Sequence, residues 1–332
     1  MVNDVPLLKV NNLSKDYPTA DGKVVRAVND VSFSIATGEV LGVVGESGCG
    51  KSTLGRTMLR LIEPDNGTIE YAGKNLLTLD RRQMKSVRRD IQIIFQDPFG
   101  SLNPRHRVGS ILAEPLKVHR VGSQTECLRR VTEMLELVGL PEDSAKRFPH
   151  EFSGGQRQRI AIARALVLKP KLLIADEAVS ALDVSIQSQI INLLGKLQKQ
   201  LGIAMMFISH DLSVIRHISD RVVVMYLGKI VESGTITEVL DSPQHPYTQA
   251  LVSAVPDPTK AIGQRIVLQG EPPDPANPPM GCHFNTRCHA MSASVREQCM
   301  AEAPRLVARG LDSQQQGLRN VACHLQVPTR QS

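Results

Sequence analysis

Three hundred and thirty-two residues, 42% hydrophobic and 22% charged, exceed what one hydrophobic core usually spans and exclude a disordered, collagen-like or coiled-coil chain. Apolar runs such as Leu172–Ala175 and Val222–Leu227 are strand-sized and far from the ~18 residues of a membrane-crossing helix, and the first ten residues lack the pattern of a secretory signal. A formal charge of +6 suits an anionic ligand, an acidic protein or a membrane surface, whereas 3% aromatics with no Trp disfavour stacking on single-stranded nucleic acid.

In chain order, Val40–Val44 reads as a buried strand and Lys51 to about Leu61 as a helix. Between them Gly45-Glu46-Ser47-Gly48-Cys49-Gly50-Lys51-Ser52, followed by Thr53, matches the phosphate-binding loop pattern in the context it requires. Its glycines let successive backbone N–H groups surround phosphate oxygens at a helix N-terminus. Lys51 is then placed to neutralise β- and γ-phosphates and Ser52 to ligate Mg²⁺. The bland alternative is a Gly-rich turn with no ligand.

Residues from about 97 to 168 read as a helical subdomain, entered through a Pro/Gly-rich segment and carrying helical spacing at Leu128, Val131, Leu135 and Val138. Within it, Phe152-Ser153-Gly154-Gly155-Gln156-Arg157-Gln158-Arg159 precedes a helix expected to begin near Ile160, and its Ser and two Gly offer a second phosphate nest. Leu172–Ala175 is a strand ending in Asp176 and Glu177, which suits one carboxylate to the Mg²⁺ shell and the next to polarising an attacking water. Many strands end in acidic residues, so that pair says little by itself. A helix with apolar positions Ile186, Ile190, Leu194, Leu197 and Leu201 follows, then strands at Ala204–Ile208 and Val222–Tyr226. Such alternation predicts an α/β fold with a parallel sheet and right-handed crossovers. From residue 256 the composition turns to Pro and Gly, so we expect a nucleotide-binding domain over 1–255 and an extension over 256–332.

Six cysteines are too few for a disulfide scaffold. Cys282, Cys288, Cys299 and Cys323 gather in the extension with five, ten and twenty-three residues between them. Four thiolates suit a [4Fe–4S] cluster or a tetrahedral Zn²⁺ site, although the compact Cys-x₂-Cys pairs of common metal motifs are missing and unpaired structural cysteines remain the alternative.

Over residues 7 to 255 the chain resembles the ATP-binding subunits of ABC transporters, whose signature is the segment Ser153-Gly154-Gly155-Gln156. The resemblance implies a P-loop ATPase core with a β-subdomain and a helical subdomain. It further implies that Tyr17 stacks on adenine, that Gln96 senses Mg²⁺ and the transport partner, that Ser180 to Asp183 form the D-loop, and that His210 contacts the γ-phosphate. In this family two ATPs lie between two subunits, with Glu177 polarising water, His210 and Lys51 stabilising γ-phosphate charge, and Ser153 and Gly155 supplied across the interface. Two residues depart from the usual pattern: Phe152 stands where leucine is commoner, and Ala178 replaces a proline, which is expected to loosen the turn carrying Glu177.

About a hundred residues between Ser52 and Ser153 leave no room for a long coiled-coil insertion, no second P-loop follows, and no membrane helices are fused. A detached ATPase serving separate membrane subunits remains. The segments Phe95-Gln96-Asp97-Pro98-Phe99-Gly100-Ser101-Leu102-Asn103-Pro104, His245-Pro246-Tyr247-Thr248-Gln249-Ala250-Leu251 and Gly281-Cys282-His283-Phe284-Asn285-Thr286-Arg287-Cys288 narrow the resemblance to dipeptide and oligopeptide importers, on the side of the second, F-type ATPase partner. That implies a second homologous ATPase subunit, two membrane permease subunits, an extracytoplasmic substrate-binding protein acting indirectly, no nucleic acid, and a peripheral position at the cytoplasmic face of the inner membrane. The resemblance also favours iron–sulfur over zinc for the four cysteines. Peptide is the expected solute; a nickel, glutathione or sugar importer, or a non-catalytic regulatory subunit with a metal- or redox-sensing extension, are the alternatives.

Overall fold

The structure is a computed structural model and describes residues 6–255, 265–308 and 319–326. In chain order its elements are β1 (Leu8–Pro18), β2 (Val24–Ile35), β3 (Val40–Val44), α1 (Lys51–Met58), β4 (Asn66–Tyr71), β5 (Lys74–Asn75), α2 (Arg81–Asp90), β6 (Ile91–Ile94), α3 (Pro98–Ser101), α4 (Val108–Val118), α5 (Gln124–Leu137) and α6 (Gly154–Leu166). There follow β7 (Leu172–Asp176), α7 (Val184–Leu201), β8 (Ala204–Ser209), α8 (Leu212–Ile218), β9 (Arg221–Tyr226), β10 (Lys229–Thr235), α9 (Ile236–Asp241), α10 (Pro246–Ser253), α11 (Ala293–Ala301), β11 (Val307–Ala308) and β12 (Asn320–Val321). The chain divides into two compact units, each built from non-contiguous segments. The boundary expected at 255/256 adjoins residues 256–264, which lie outside the described residues.

The first unit takes Met1–Lys9, Ser34–Val40 and Glu70–Ser209. Parallel strands β6, β7 and β8 run side by side, with Ile91 opposite Leu172 and Leu172 opposite Ala204. Every residue of β7 and β8 is buried, as unbroken apolar runs in a parallel sheet should be. Helices α4, α5 and α6 pack on one another in the predicted helical block. Ser123 caps α5 by accepting the Glu126 N–H, and the buried stripe of that helix is Cys127, Val131, Met134 and Leu135. Leu128 of the predicted stripe is 61% exposed, because it lies about 100° around the helix from Cys127, outside the i, i+4, i+7 row that meets the core.

The second unit takes Val10–Phe33, Leu41–Ile69 and His210–Ser332. Its strand β3 pairs in parallel with β9, from Leu41 opposite Arg221 to Val44 opposite Val224. Strand β9 then pairs antiparallel with β10, β10 with β12, and β12 with β11. The two last strands belong to the extension, so the C-terminal residues continue the sheet that carries the phosphate loop. A separate layer runs β2-β1-β4. Phe284 of the extension enters an aromatic core with Tyr226 and Tyr247, at ring-centroid distances of 5.3 and 5.5 Å, while Tyr226 and Tyr247 stand 4.7 Å apart. Among the described residues no helix is long and apolar enough to cross a membrane.

Candidate nucleotide site

The phosphate loop belongs to the second unit and bridges β3 and α1 as its sequence predicts. Gly50 is the N-cap of α1 at φ 104°, and a Cβ there would stand 1.8 Å from the Ala27 carbonyl oxygen. No other residue suits that position. Lys51 is buried, and its Nζ donates to the carbonyls of Gly45 at 2.8 Å and Glu46 at 2.9 Å, so the ammonium is held across the loop by backbone oxygens. Ser47 and Gly48 are exposed at the tip, and Ser52 and Thr53 are half-buried in the first helical turn. Burial pushes the Cys49 thiol up, against the opposing charge of Lys51.

Tyr17, half-buried near the end of β1 with the Lys15 ammonium 5.6 Å from its ring centroid, and His210, exposed after β8, also belong to this unit.

The carboxylates and the signature belong to the first unit. Asp176 is fully buried at the end of β7, and Glu177 follows at φ 47°, its N–H donating to the Ile208 carbonyl at 3.0 Å. Gln96 Nε2 donates to Glu177 Oε2 at 3.0 Å, bringing two of the predicted site residues together across 81 positions of sequence. The turn after Glu177 is held without proline: the Ser180 hydroxyl and the Ser180 N–H both donate to the Glu177 carbonyl, at 3.0 and 3.1 Å, and Ala178 is buried. A hydroxyl (Ser52), an amide oxygen (Gln96) and a carboxylate (Asp176) are the hard oxygen donors that suit Mg²⁺, so the donor chemistry fits that ion.

Helix α6 begins at Gly154, six residues before the predicted start. The signature is its cap. Ser153 Oγ accepts the Gln156 N–H at 3.4 Å, and Gln156 Oε1 accepts the Ser153 N–H at 3.0 Å, forming a reciprocal capping box. Ser153 and Gln156 remain exposed, whereas Gly155 is buried where a Cβ would approach Ile186 of α7 to 2.6 Å. Close packing of α6 on α7 therefore accounts for Gly155. The uncommon Phe152 is buried beneath the Arg147 guanidinium, 4.4 Å from its ring centroid. Asp183 is exposed at the N-cap position of α7.

Sequence reasoning missed how the His245–Thr248 segment and the extension bear on the phosphate loop. His245 caps α10, its Nδ1 accepting the Tyr247 N–H at 3.1 Å, and Pro246 takes the first helical position. The Tyr247 hydroxyl accepts the Glu46 N–H at 2.9 Å. From the extension, Arg287 meets the Glu46 carboxylate with two nitrogens, at 2.9 and 3.2 Å. A second carboxylate, the fully buried Glu232 of β10, accepts the N–H groups of Gln244 and His245 and pairs with Arg319 at 2.7 Å. The only sequence signal for these links was a charged residue inside an apolar strand and an Arg inside a Cys-rich motif.

The four cysteines of the extension are also in this unit. Burial pushes the Cys282 thiol up to about 12, and Cys299, Cys323 and Cys288 act on it in the same direction. Burial raises Cys288 and Cys299 as well. Among the described residues, however, no group of three or more His, Cys, Asp or Glu side chains is drawn together closely enough to hold a metal ion. The expectation of a [4Fe–4S] or zinc site thus meets three thiols raised by burial and, among the described residues, no assembled ligand shell.

Comparison with known proteins agrees with the fold. The family described as ABC transporter matches residues 28–180, and that described as the oligopeptide/dipeptide transporter C-terminal region matches residues 231–294. The oligopeptide transport ATP-binding protein AppF of Bacillus subtilis is 54% identical over 306 residues, covering 89% of this chain and 93% of AppF. Among solved structures, cbiO1 from Clostridium perfringens, part of the cbiONQ transporter complex, superposes with a TM-score of 0.63 at 32% identity, over 71% of this chain and 91% of its own. An ATP-binding cassette, MJ0796, solved as a dimer in a post-hydrolysis state with ADP and Pi, gives 0.63 at 31% identity over 69% and 98%. The chain belongs to the ABC transporter ATP-binding family, and its activity is that family's ATP hydrolysis coupled to transport.

Proposed function

We propose that this chain powers peptide import, as one of two ATPase subunits bound to separate membrane permeases. The observation that carries the reading is the 231–294 match to the oligopeptide/dipeptide C-terminal region, the span that includes Tyr247, Phe284 and Arg287. The similarity to AppF, an oligopeptide transport ATP-binding protein, points the same way. Residues 1–255 act as the nucleotide-binding domain and 256–332 as the extension, at the cytoplasmic face of the membrane. The solute is presented to the permeases by an extracytoplasmic binding protein.

Within that reading, Tyr17 stacks on adenine, the loop from Gly45 to Thr53 surrounds the phosphates, and Lys51 neutralises them. Ser52, Gln96 and Asp176 would hold Mg²⁺, which when bound offsets phosphate charge. Glu177 orients and polarises the attacking water while His210 meets the γ-phosphate. Ser153, Gly154, Gly155 and Gln156 serve the nucleotide of the partner ATPase, and Asp183 lies in the D-loop. Reconstitution with the permeases and binding protein in proteoliposomes, with labelled di- and oligopeptides, tests the reading. ATP-dependent uptake supports it, and uptake of nickel or a sugar with no peptide uptake overturns it.

For Cys282, Cys288, Cys299 and Cys323 we propose assembly of a [4Fe–4S] cluster, with zinc as the alternative. The gathering of all four in one extension supports it, and burial, which raises the Cys282, Cys288 and Cys299 thiols, makes loading depend on loss of protons. Anaerobic purification with metal analysis decides: four irons with absorbance near ~400 nm, one zinc, or neither.

A further inference from the structure

We infer that Arg287 and Tyr247 are positioning residues for the phosphate loop, through which the C-terminal extension sets the affinity of the site for ATP. The inference rests on the reading of that loop as the ATP site. Glu46 is the second residue of the loop, and three partners converge on it. Its N–H donates to the Tyr247 hydroxyl at 2.9 Å, its carboxylate takes two Arg287 nitrogens at 2.9 and 3.2 Å, and its carbonyl accepts from Lys51 Nζ at 2.9 Å. The first two partners lie outside the loop, and the third is the lysine that neutralises the phosphates. A residue clamped from both sides fixes its own carbonyl, and that carbonyl fixes the ammonium.

Charge adds a second argument. A carboxylate inside a phosphate-binding loop opposes a triphosphate, so Glu46 weakens the site unless something cancels it. Arg287 supplies the cancelling charge as a two-nitrogen pair, the strongest geometry available to a carboxylate. The arginine side chain is 7% exposed and the glutamate 28%, so water screens the pair only partly. Arg287 is held in turn from the extension side: its N–H donates to the Phe284 carbonyl at 3.1 Å, and Phe284 packs edge-on against Tyr226 and Tyr247. The extension thereby reaches the loop through Arg287, while Tyr247 of α10 meets the same loop residue from the aromatic core that Phe284 of the extension completes.

The test uses the full-length chain, with MgATP binding by calorimetry and steady-state ATPase over a range of ATP concentrations. Arg287→Gln leaves the Glu46 carboxylate unpaired and is expected to raise the ATP Kd and KM about tenfold, with kcat at saturating ATP within about twofold of the parent. Adding Glu46→Gln to Arg287→Gln removes the stranded charge and is expected to recover most of that loss. An arginine that served only to hold the extension together would gain nothing from the second substitution. Tyr247→Phe keeps the ring and deletes only the hydroxyl; it is expected to raise KM about threefold, and it decides the matter if Arg287→Gln does not fold. If the parent binds ATP while Arg287→Gln and Tyr247→Phe bind it equally well, or if the double variant is no better than Arg287→Gln, the inference is overturned and the ATP site stands. Failure of the parent to bind ATP overturns both.

Discussion

His245 makes acid stability a sharp test of the packing beneath the phosphate loop. Its side chain is 1% exposed, its Nδ1 accepts the Tyr247 N–H, and burial holds its pKa at about 3 although the backbone of Ala322 acts in the opposite direction. In the unfolded chain the same imidazole takes a proton near ~6.5. Between these values the unfolded state binds one more proton than the folded state, so stability rises with pH. The contribution is fully present above ~6.5 and is lost as pH falls towards 3, at a slope approaching ~1.4 kcal/mol per pH unit. From pH 6.5 to 5 this one ring costs about 2 kcal/mol. His283, His289 and His119, all depressed by burial, add in the same direction. His245→Asn keeps a side-chain acceptor at the N-cap while removing the titrating group. Guanidinium unfolding of the parent and variant across pH 7.5 to 5, followed by tyrosine fluorescence in this Trp-free chain, isolates the residue, because every other group is common to both. The variant is expected to start lower at pH 7.5 and to decline less steeply, by close to one proton. Parallel pH curves would refute the assignment of a buried neutral imidazole.

Four further outcomes are expected. Lys51→Ala abolishes nucleotide binding by calorimetry and transport with it, since the phosphates lose their cation. Glu177→Gln retains ATP binding but turns over far more slowly and accumulates a closed dimer on gel filtration with ATP; parental turnover would remove Glu177 from the chemistry. Tyr17→Ala weakens ATP binding by about 1–2 kcal/mol whereas Tyr17→Phe is mild, because the stacking face is kept. Phe152→Leu forfeits the stack of the exposed Arg147 guanidinium on the buried ring, lowering stability by about 0.5–1 kcal/mol, with ATPase activity retained.

What the sequence made legible was local. Val40–Val44, the glycine turn and Lys51 can be read in place because β-branched burial, positive-φ glycines and a helix start act within a dozen residues. The start of α6 was misplaced because two glycines look like loop, although Ser153 and Gln156 spelled a capping box three residues apart. The apolar stripe of α5 was shifted at one position, since Leu128 matches the composition of a core residue without its angular phase. The clamp on Glu46 had no such signal. Arg287 lies 241 positions away, and nothing periodic connects an arginine in a Cys-rich segment to a carboxylate in a glycine loop. His245 was recognised as part of a motif, but its cap and its buried neutral ring follow only from the strands packed around it.

The pairing of β12 on β10 has a consequence for how such a chain is cut, fused or inherited. With Glu232 opposite Val321 and Ser233 opposite Asn320, the outer edge of β10 is closed by β12, the last strand among the described residues. A truncation after α10 would open that row of N–H and C=O groups, strip Arg319 from the buried Glu232, and empty the place of Phe284. An open edge beside an exposed apolar hollow is a template for strand exchange between copies. Expression of a shortened cassette therefore invites fibrous or swapped assemblies, and recombination between relatives is tolerated best when the glycine loop and the C-terminal tail travel together.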